Sequence, residues 1–324
     1  MIYLLYATKV NIGGWATFTR HLHDSLIAEG HKVIIVKIGN RTEMFTRPFG
    51  DQGHVYSNVT EEDLIHHAEH NPMIIAALGK HYVEVAEKLI KKGAKVVIHD
   101  TAESTNRMDV GEAWVIRKAL RRAAPRTRFI RHPYVPHERK EMPPRRFRQA
   151  VATSRVDFDK NTEIILDAKR LGARIDIVGF ENRLYTKFKI MPKYPEWEQS
   201  PGTHPKTGAG SFQHCLEAKY MVDLTDIKGD GGGTQYTFLE AWDAGAVPII
   251  GDWWIREKDD MKVGVNCLSV DGADRLYRTL KAASKDRQFE ELRLEMAQAG
   301  RRRLLKKHAP AIIVPEVLDW LGYE

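Results

Sequence analysis

At 324 residues with a formal net charge of +7, the chain is too long for one ordinary core and suits two domains of roughly 150 residues each. Its 43% apolar and 29% charged residues exclude disordered and fibrous classes, and no uncharged apolar run approaches the roughly 18 residues that span a bilayer. The two cysteines, Cys215 and Cys267, are too few to staple a fold of this size, so a reducing cytoplasm is the expected location.

The first half alternates short apolar runs with helical patterns, the signature of a parallel sheet covered on both faces. Residues 2–7 read as a buried strand rather than a signal peptide, because no basic region precedes them. Gly13-Gly14 then opens a helix over 15–29, and residues 32–38 form the next strand. A strand at 73–78, a helix at 81–92 closed by Gly93 and a strand at 95–99 follow. Residues 110–122 are predicted as a helix, and Phe129-Ile130 as part of the last strand of this unit.

Pro133, Pro136, Pro143 and Pro144 punctuate a basic stretch expected to be a linker, which divides the chain into domains 1–145 and 146–324. The pattern restarts with a strand at 149–153, a helix at 162–171 and a strand at 174–178. A polar Pro/Gly-rich region runs to about residue 210. Beyond it come a short helix at 212–218, a strand at 220–224, a helix at 234–244 and a strand at 247–251. Helices over 273–284, 289–307 and 314–321 end the chain. The expected architecture is α/β: two doubly wound, Rossmann-like sheets in tandem, facing a central cleft.

The charge is concentrated. Residues 117–148 hold twelve Lys or Arg against Glu138 and Glu141, so this segment is +10 and the remainder sums to −3. A field of that size attracts a polyanion; the plainer alternative is a solvated basic helix and linker. Arg117, Arg121, Arg122, Arg126 and Arg128 are the candidates for phosphate contact.

Ligands of doubly wound folds sit beyond the carboxyl ends of the strands, where strand order reverses. The strongest candidate there is the run Asp230-Gly231-Gly232-Gly233-Thr234-Gln235-Tyr236-Thr237. Its glycines expose backbone N–H groups ahead of a helix whose N-terminus attracts anions. Thr234 and Thr237 offer hydroxyl donors, and Glu240 is placed to accept from ribose hydroxyls. No Lys-Ser/Thr pair follows the glycines, which excludes a Walker-type loop. Gly13 and Gly14 form a second close-approach point, without the G-x-G-x-x-G of a dinucleotide-binding fold. Arg155 and Lys160 flank a strand-to-helix loop and suit a diphosphate, one as a fork and one as a point charge. Between them Asp157 and Asp159 form a D-x-D, in which Lys160 competes with any cation. His99-Asp100 closes a strand at the expected cleft. His66, His67 and His70 have i, i+4 metal spacing but no evident third ligand, so they read as a solvated helix face.

Together these residues resemble the retaining GT-B glycosyltransferases of the family-4 type. Gly13-Gly14 with Glu29-Gly30-His31-Lys32-Val33 resembles that family's opening. Arg155 and Lys160 resemble its diphosphate clamp, and Glu240-Ala241-x-x-Ala244-Gly245-x-x-Pro248 resembles its donor-binding signature. The family's second glutamate, eight positions earlier, is here Gly232, with Asp230 the nearby acid.

Val97-Ile98-His99-Asp100, the helix bearing Tyr236, Thr237, Leu239 and Glu240, and the basic segment are further similar to the phage α-glucosyltransferases that modify hydroxymethylated DNA bases. The resemblance implies a metal-independent transferase using a nucleotide sugar, UDP-glucose, as donor. Gly13, Gly14, Arg155, Lys160, Asp230, Gly232, Gly233, Thr234, Gln235, Tyr236, Thr237 and Glu240 would then bind the donor. His99 would hold the sugar, and Asp100 or the leaving phosphate would accept the acceptor's proton. The implied partner is duplex DNA bearing hydroxymethylcytosine or hydroxymethyluracil, met by a monomer in the cytoplasm of a phage's host. A glycan or lipid-linked acceptor is the alternative, in which the basic segment meets anionic membrane and Trp114 and Phe129 insert. A non-catalytic nucleotide- or nucleic-acid-binding protein is the third.

Overall fold

The computed structural model describes residues 1–9, 13–43, 45–49, 53–99, 110–122, 126–138, 147–198, 211–226, 232–256, 260–284 and 287–323, with the side chains of Arg121 and Arg122 outside that set. The chain divides into two compact units: Met1–Val135 with Lys306–Glu324, and Pro136–Leu305. The C-terminal helix thus belongs with the first unit, where the sequence order had grouped it with the second.

The first unit is built on eight strands: β1 (Ile2–Ala7), β2 (Val33–Ile38), β3 (Arg47–Pro48), β4 (Val55–Val59), β5 (Met73–Leu78), β6 (Lys95–Ile98), β7 (Glu112–Val115) and β8 (Arg126–Phe129). Their order across the sheet is β3-β4-β2-β1-β5-β6-β7-β8. Every pairing is parallel except β3 with β4. Every residue of β5, MIIAAL, is buried, as expected for a central parallel strand covered on both faces. Helices α1 (Gly14–Ala28), α2 (Glu61–His70) and α3 (Val83–Lys91) supply the crossovers.

The helix expected over 110–122 is instead β7 followed by a 3-10 turn, Lys118–Arg122. Trp114 pairs with Val97 on one side and Arg128 on the other. Its indole N–H donates to the Ile130 carbonyl at 2.7 Å. The apolar spacing of this segment fits a helix, but pairing on both edges outweighs local propensity.

The second unit holds β9 (Arg148–Ala152), β10 (Ile175–Ile177), β11 (Ala218–Asp223), β12 (Val247–Gly251) and β13 (Leu268–Val270). They form a wholly parallel sheet in the order β10-β9-β11-β12-β13. The chain runs outward from β9 in both directions, so the switch point lies between β9 and β11. Its helices are α4 (Thr162–Arg170), the short α5 (Arg183–Tyr185) with the π turn Thr186–Ile190, α6 (Ser211–Glu217), α7 (Tyr236–Ala244), α8 (Ala273–Ala283) and α9 (Arg287–His308). The last three residues of α9 lie past the boundary between the units.

In the first unit, α10 (Pro310–Leu321) begins with Pro310, whose missing N–H is harmless there, and ends at Gly322 in the left-handed region, φ 70°. Trp320 meets Trp114 edge to face at 5.7 Å between ring centres. The Lys95 ammonium, which donates to the Trp320 carbonyl, also lies over the Trp320 ring. Among the described residues no helix is long and apolar enough to cross a membrane. Cys215 and Cys267 are free and buried, and burial pushes the Cys267 thiol up to about 12.

Candidate active site

In the second unit the strand-to-helix loop after β9 is shaped by its own backbone. The Val156 N–H donates to the Phe180 carbonyl at 2.9 Å, and the Asn182 N–H donates to the Val156 carbonyl at 2.9 Å. Gly179 makes this approach possible: a Cβ there would lie 1.7 Å from the Ser154 carbonyl oxygen. Asn161 turns the chain into α4 through a left-handed conformation, φ 47°, which asparagine tolerates. Its side-chain amide donates to the Leu224 carbonyl at 2.9 Å. The result is a depression at the switch point, lined by Ser154, Arg155, Lys160 and Thr162 from one side and Val222, Asp223 and Leu224 from the other.

Asp223 is the hub beneath it, 2% exposed. One carboxylate oxygen accepts from the Ser154 hydroxyl at 2.5 Å and the Thr237 hydroxyl at 2.6 Å. The other accepts from the Thr225 N–H at 3.1 Å and from the Thr225 hydroxyl. Burial pushes its pKa upward, but the Lys160 charge and the Ser154, Thr225 and Thr237 hydroxyls outweigh burial and hold it below the usual carboxylate range. Lys160 donates to the Thr225 hydroxyl oxygen at 2.8 Å. Asp223 therefore aims Lys160 through Thr225. A lone acid after the apolar run Tyr220-Met221-Val222 gave no hint of this in the sequence, since its partners Thr237 and Ser154 lie 14 and 69 residues away.

Lys160 is mostly buried and Arg155 is half exposed, at 12% and 48% for their side chains. Both lie in the loop between the carboxyl end of β9 and α4. The D-x-D carboxylates are each matched to a cation: Asp157 lies 3.3 Å from Arg155 and Asp159 lies 3.3 Å from Lys160. Asp157 also accepts from the Asn182 side chain at 2.9 Å, so the two acids act as local ties.

The glycine-rich turn enters the described chain at Gly232. Gly232 and Gly233 are both left-handed, φ 94° and 72°, a conformation that favours glycine. Trp254 pins the turn by donating its indole N–H to the Gly233 carbonyl at 3.1 Å, and Trp253 donates to the Thr225 carbonyl at 2.9 Å. Thr234 is buried, Gln235 caps α7 in an extended conformation without a side-chain cap bond, and α7 starts at Tyr236. The helix begins two residues later than expected because Thr234 and Gln235 complete the turn. Thr237 spends its hydroxyl proton on Asp223, which corrects its expected role as a direct phosphate donor. Glu240 is partly buried on α7. Asp230 lies outside the described residues.

In the first unit, Gly13 is the left-handed N-cap of α1, φ 85°. A Cβ on Gly13 or Gly14 would meet nothing within 4 Å, so packing does not explain the absent side chain of Gly14. His99 follows β6 and is buried. Its Nε2 donates to the Ala76 carbonyl at 2.8 Å, and its ring meets Phe18 edge to face at 4.7 Å. Burial lowers its pKa to about 4, with the Ala76 bond opposing and the Arg117 charge adding to the effect, so the ring is neutral near pH 7. Asp100 lies outside the described residues.

Arg117 does not contact solvent as a phosphate-binding residue would. It is 5% exposed and donates to the His99 carbonyl at 2.5 Å, which makes it an interior strut beneath His99. Arg126 is exposed on β8, and Arg128 pairs with Asp319 of α10 at 2.5 Å. Trp114 is fully buried, which removes it as a membrane-inserting residue. On α2, the structure supplies the third group that the sequence did not reveal: Glu69 stands with His66 and His70 on an exposed face, but it already pairs with Lys92 at 2.6 Å.

No protein-family model and no curated protein matches the chain. Solved structures do. An α-glucosyltransferase in complex with UDP-glucose and DNA containing an abasic site matches with a TM-score of 0.71 and 13% identity, over 99% of both chains. An α-glucosyltransferase in complex with UDP and a 13-mer DNA containing a HMU base matches with a TM-score of 0.71 and 14% identity, again over 99% of both. Anabaena Alr3699/HepE in complex with UDP and glucose matches with a TM-score of 0.70 and 12% identity, over 99% of both. The chain has the GT-B glycosyltransferase fold, carried by two Rossmann-like units.

Proposed function

We propose that the protein is a retaining, metal-independent glycosyltransferase that moves glucose from UDP-glucose to hydroxymethylated bases of phage DNA. The observation that carries this reading is the depression at the β9/β11 switch point, where the Lys160 ammonium is fixed by Thr225 and Asp223. The preformed GT-B likeness to a glucosyltransferase bound to UDP-glucose and DNA supports the donor and the acceptor class. Lys160, Arg155 and the α7 N-terminus neutralise the departing diphosphate, and preorganised groups of this kind are usually the largest catalytic effect. Glu240 accepts from the ribose, and Gly13-Gly14 lets the donor approach the backbone. His99, held neutral, contacts the sugar, and Asp100 or the leaving phosphate takes the acceptor's proton.

On the acceptor side, Arg126 and Arg128, with Arg121 and Arg122, neutralise DNA phosphates, and the target base leaves the stack at a cost of a few kcal/mol. The enzyme works as a monomer in the host cytoplasm. A second reading is a glycan or lipid-linked acceptor; the chain is as similar to Anabaena Alr3699/HepE in complex with UDP and glucose as to the DNA-bound structures, so the fold alone does not choose the acceptor. The test is transfer of radiolabelled glucose from UDP-glucose to duplexes carrying hydroxymethylcytosine, hydroxymethyluracil or neither. Label in the hydroxymethylated duplexes alone supports the DNA reading. Slow donor hydrolysis without transfer refutes the DNA acceptor and directs attention to glycans and lipids.

A further inference from the structure

The first unit carries a second constellation of chemistry-bearing side chains, which the donor and DNA readings do not use. His23 and Asp24 stand on α1, and His54 precedes β4. Both imidazoles converge on one carboxylate oxygen of Asp24: His23 Nδ1 at 2.9 Å and His54 Nε2 at 2.8 Å. The rings stand edge to face, 5.5 Å apart, and the three ligand atoms all lie within 4.8 Å of one another. We propose that His23, Asp24 and His54 form a binding site for one divalent transition-metal ion of the zinc type, with water in the fourth position.

The donor set is the first argument. Two imidazoles and a carboxylate suit zinc and its neighbours, whereas calcium and magnesium take oxygen ligands. Spacing is the second. Zinc sits about 2.0–2.2 Å from nitrogen and oxygen ligands, so neighbouring ligand atoms of a tetrahedron are about 3.3 Å apart. The two contacts to Asp24 need open by only about half an ångström to reach that separation, which side-chain rotation supplies.

Support of the ligands is the third argument. The Phe49 N–H donates to the His54 carbonyl at 2.7 Å, and Phe49 is buried against Tyr6. His54 is thereby presented by an anchored segment, with its side chain 9% exposed. Asp24 is the most open of the three, at 40%, which leaves a path for the ion. His23 lies nine residues beyond Gly14, about 14 Å along the helix, so the ion would staple the His54 segment to α1 without entering the transfer chemistry. By contrast, the His66/Glu69/His70 group is exposed, with Glu69 matched to Lys92, and it serves as the internal control.

The test is titration of zinc chloride into the chelator-stripped full chain by calorimetry, with cobalt(II) absorption as a second readout. One site is expected, weakened at least tenfold by His54→Ala and by Asp24→Asn and unchanged by the double variant His66→Ala/His70→Ala. Cobalt(II) should give the intense visible bands of a four-coordinate ion, lost in the same variants. Should His54→Ala fail to fold, His23→Ala, on a partly exposed helix position, carries the same prediction. No binding, binding abolished only by the His66/His70 double variant, or affinity unchanged in His23→Ala would overturn the proposal.

Discussion

Asp223→Asn isolates the electrostatics of the donor pocket. Asparagine is nearly isosteric, and the hydrogen-bond geometry fixes which way its amide must turn. The Thr225 N–H points at one carboxylate oxygen, so the amide oxygen must stay there and the NH2 must face Ser154 and Thr237. Those two hydroxyls can rotate to accept, so no bond need be lost outright. What disappears is the negative charge. Charge-assisted hydrogen bonds contribute about 1.5–3 kcal/mol each and neutral ones about 0.5–1.5, and Lys160 loses a buried counter-charge. The expected destabilisation is about 2–4 kcal/mol, and Asp223→Ala, which leaves the buried donors without an acceptor, should cost more.

Urea unfolding followed by tryptophan fluorescence measures this, with Trp253 bonded to the Thr225 carbonyl as a nearby reporter. The carboxyl is held below its ordinary value in the folded protein. Its stabilisation is therefore complete above the unfolded carboxylate pKa of about 3.9 and is lost as pH falls through the folded value. The gap between wild type and Asp223→Asn should stay constant from pH 7 to about 5 and close below about 4. A cost under about 1 kcal/mol at pH 7, or a gap indifferent to acid, would refute the account of Asp223 as a charged hub.

Lys160→Ala should lower kcat for sugar transfer by about 10²–10³, the range for loss of one preorganised anion-stabilising group, measured with saturating UDP-glucose. Gly179→Ala forces a Cβ to within 1.7 Å of the Ser154 carbonyl and should cost about 3 kcal/mol or more by urea unfolding, with weaker UDP binding. His99 is neutral when folded because burial lowers its pKa to about 4. The unfolded state binds the extra proton, so this contribution is full above about pH 6.5 and is lost as pH falls towards 4. His99→Gln should flatten the stability–pH curve in that window; an unchanged slope would contradict the burial argument. For duplex binding, Arg126→Ala should reduce the magnitude of the log-log salt slope by about 0.9. Arg117→Ala should instead lower the melting temperature, because that guanidinium is an interior strut.

The central strands of both sheets were legible because parallel strands buried on both faces are continuous apolar runs, as in Met73–Leu78 and Val247–Gly251; the short strands Arg47–Pro48, Val55–Val59 and Leu268–Val270 towards the sheet edges carry no such run and were not read. The glycines before α7 and the Arg155/Lys160 pair were legible because strand-to-helix loops are local in sequence. Residues 112–115 were not, since their apolar spacing fits a helix and only pairing with β6 and β8 makes them a strand. Tertiary structure alone distinguished Arg117 from the arginines around it, by burying it against the His99 carbonyl. It alone recruited Asp223 from an apolar run and α10 back to the first unit. The sequence by itself determined periodicity, charge and local loop chemistry, which act over a few residues. Contacts such as Ser154 with Asp223, or His54 with Asp24, join positions 69 and 30 residues apart. Their energies depend on burial and direction, which exist only once the sheets have placed the strand ends side by side.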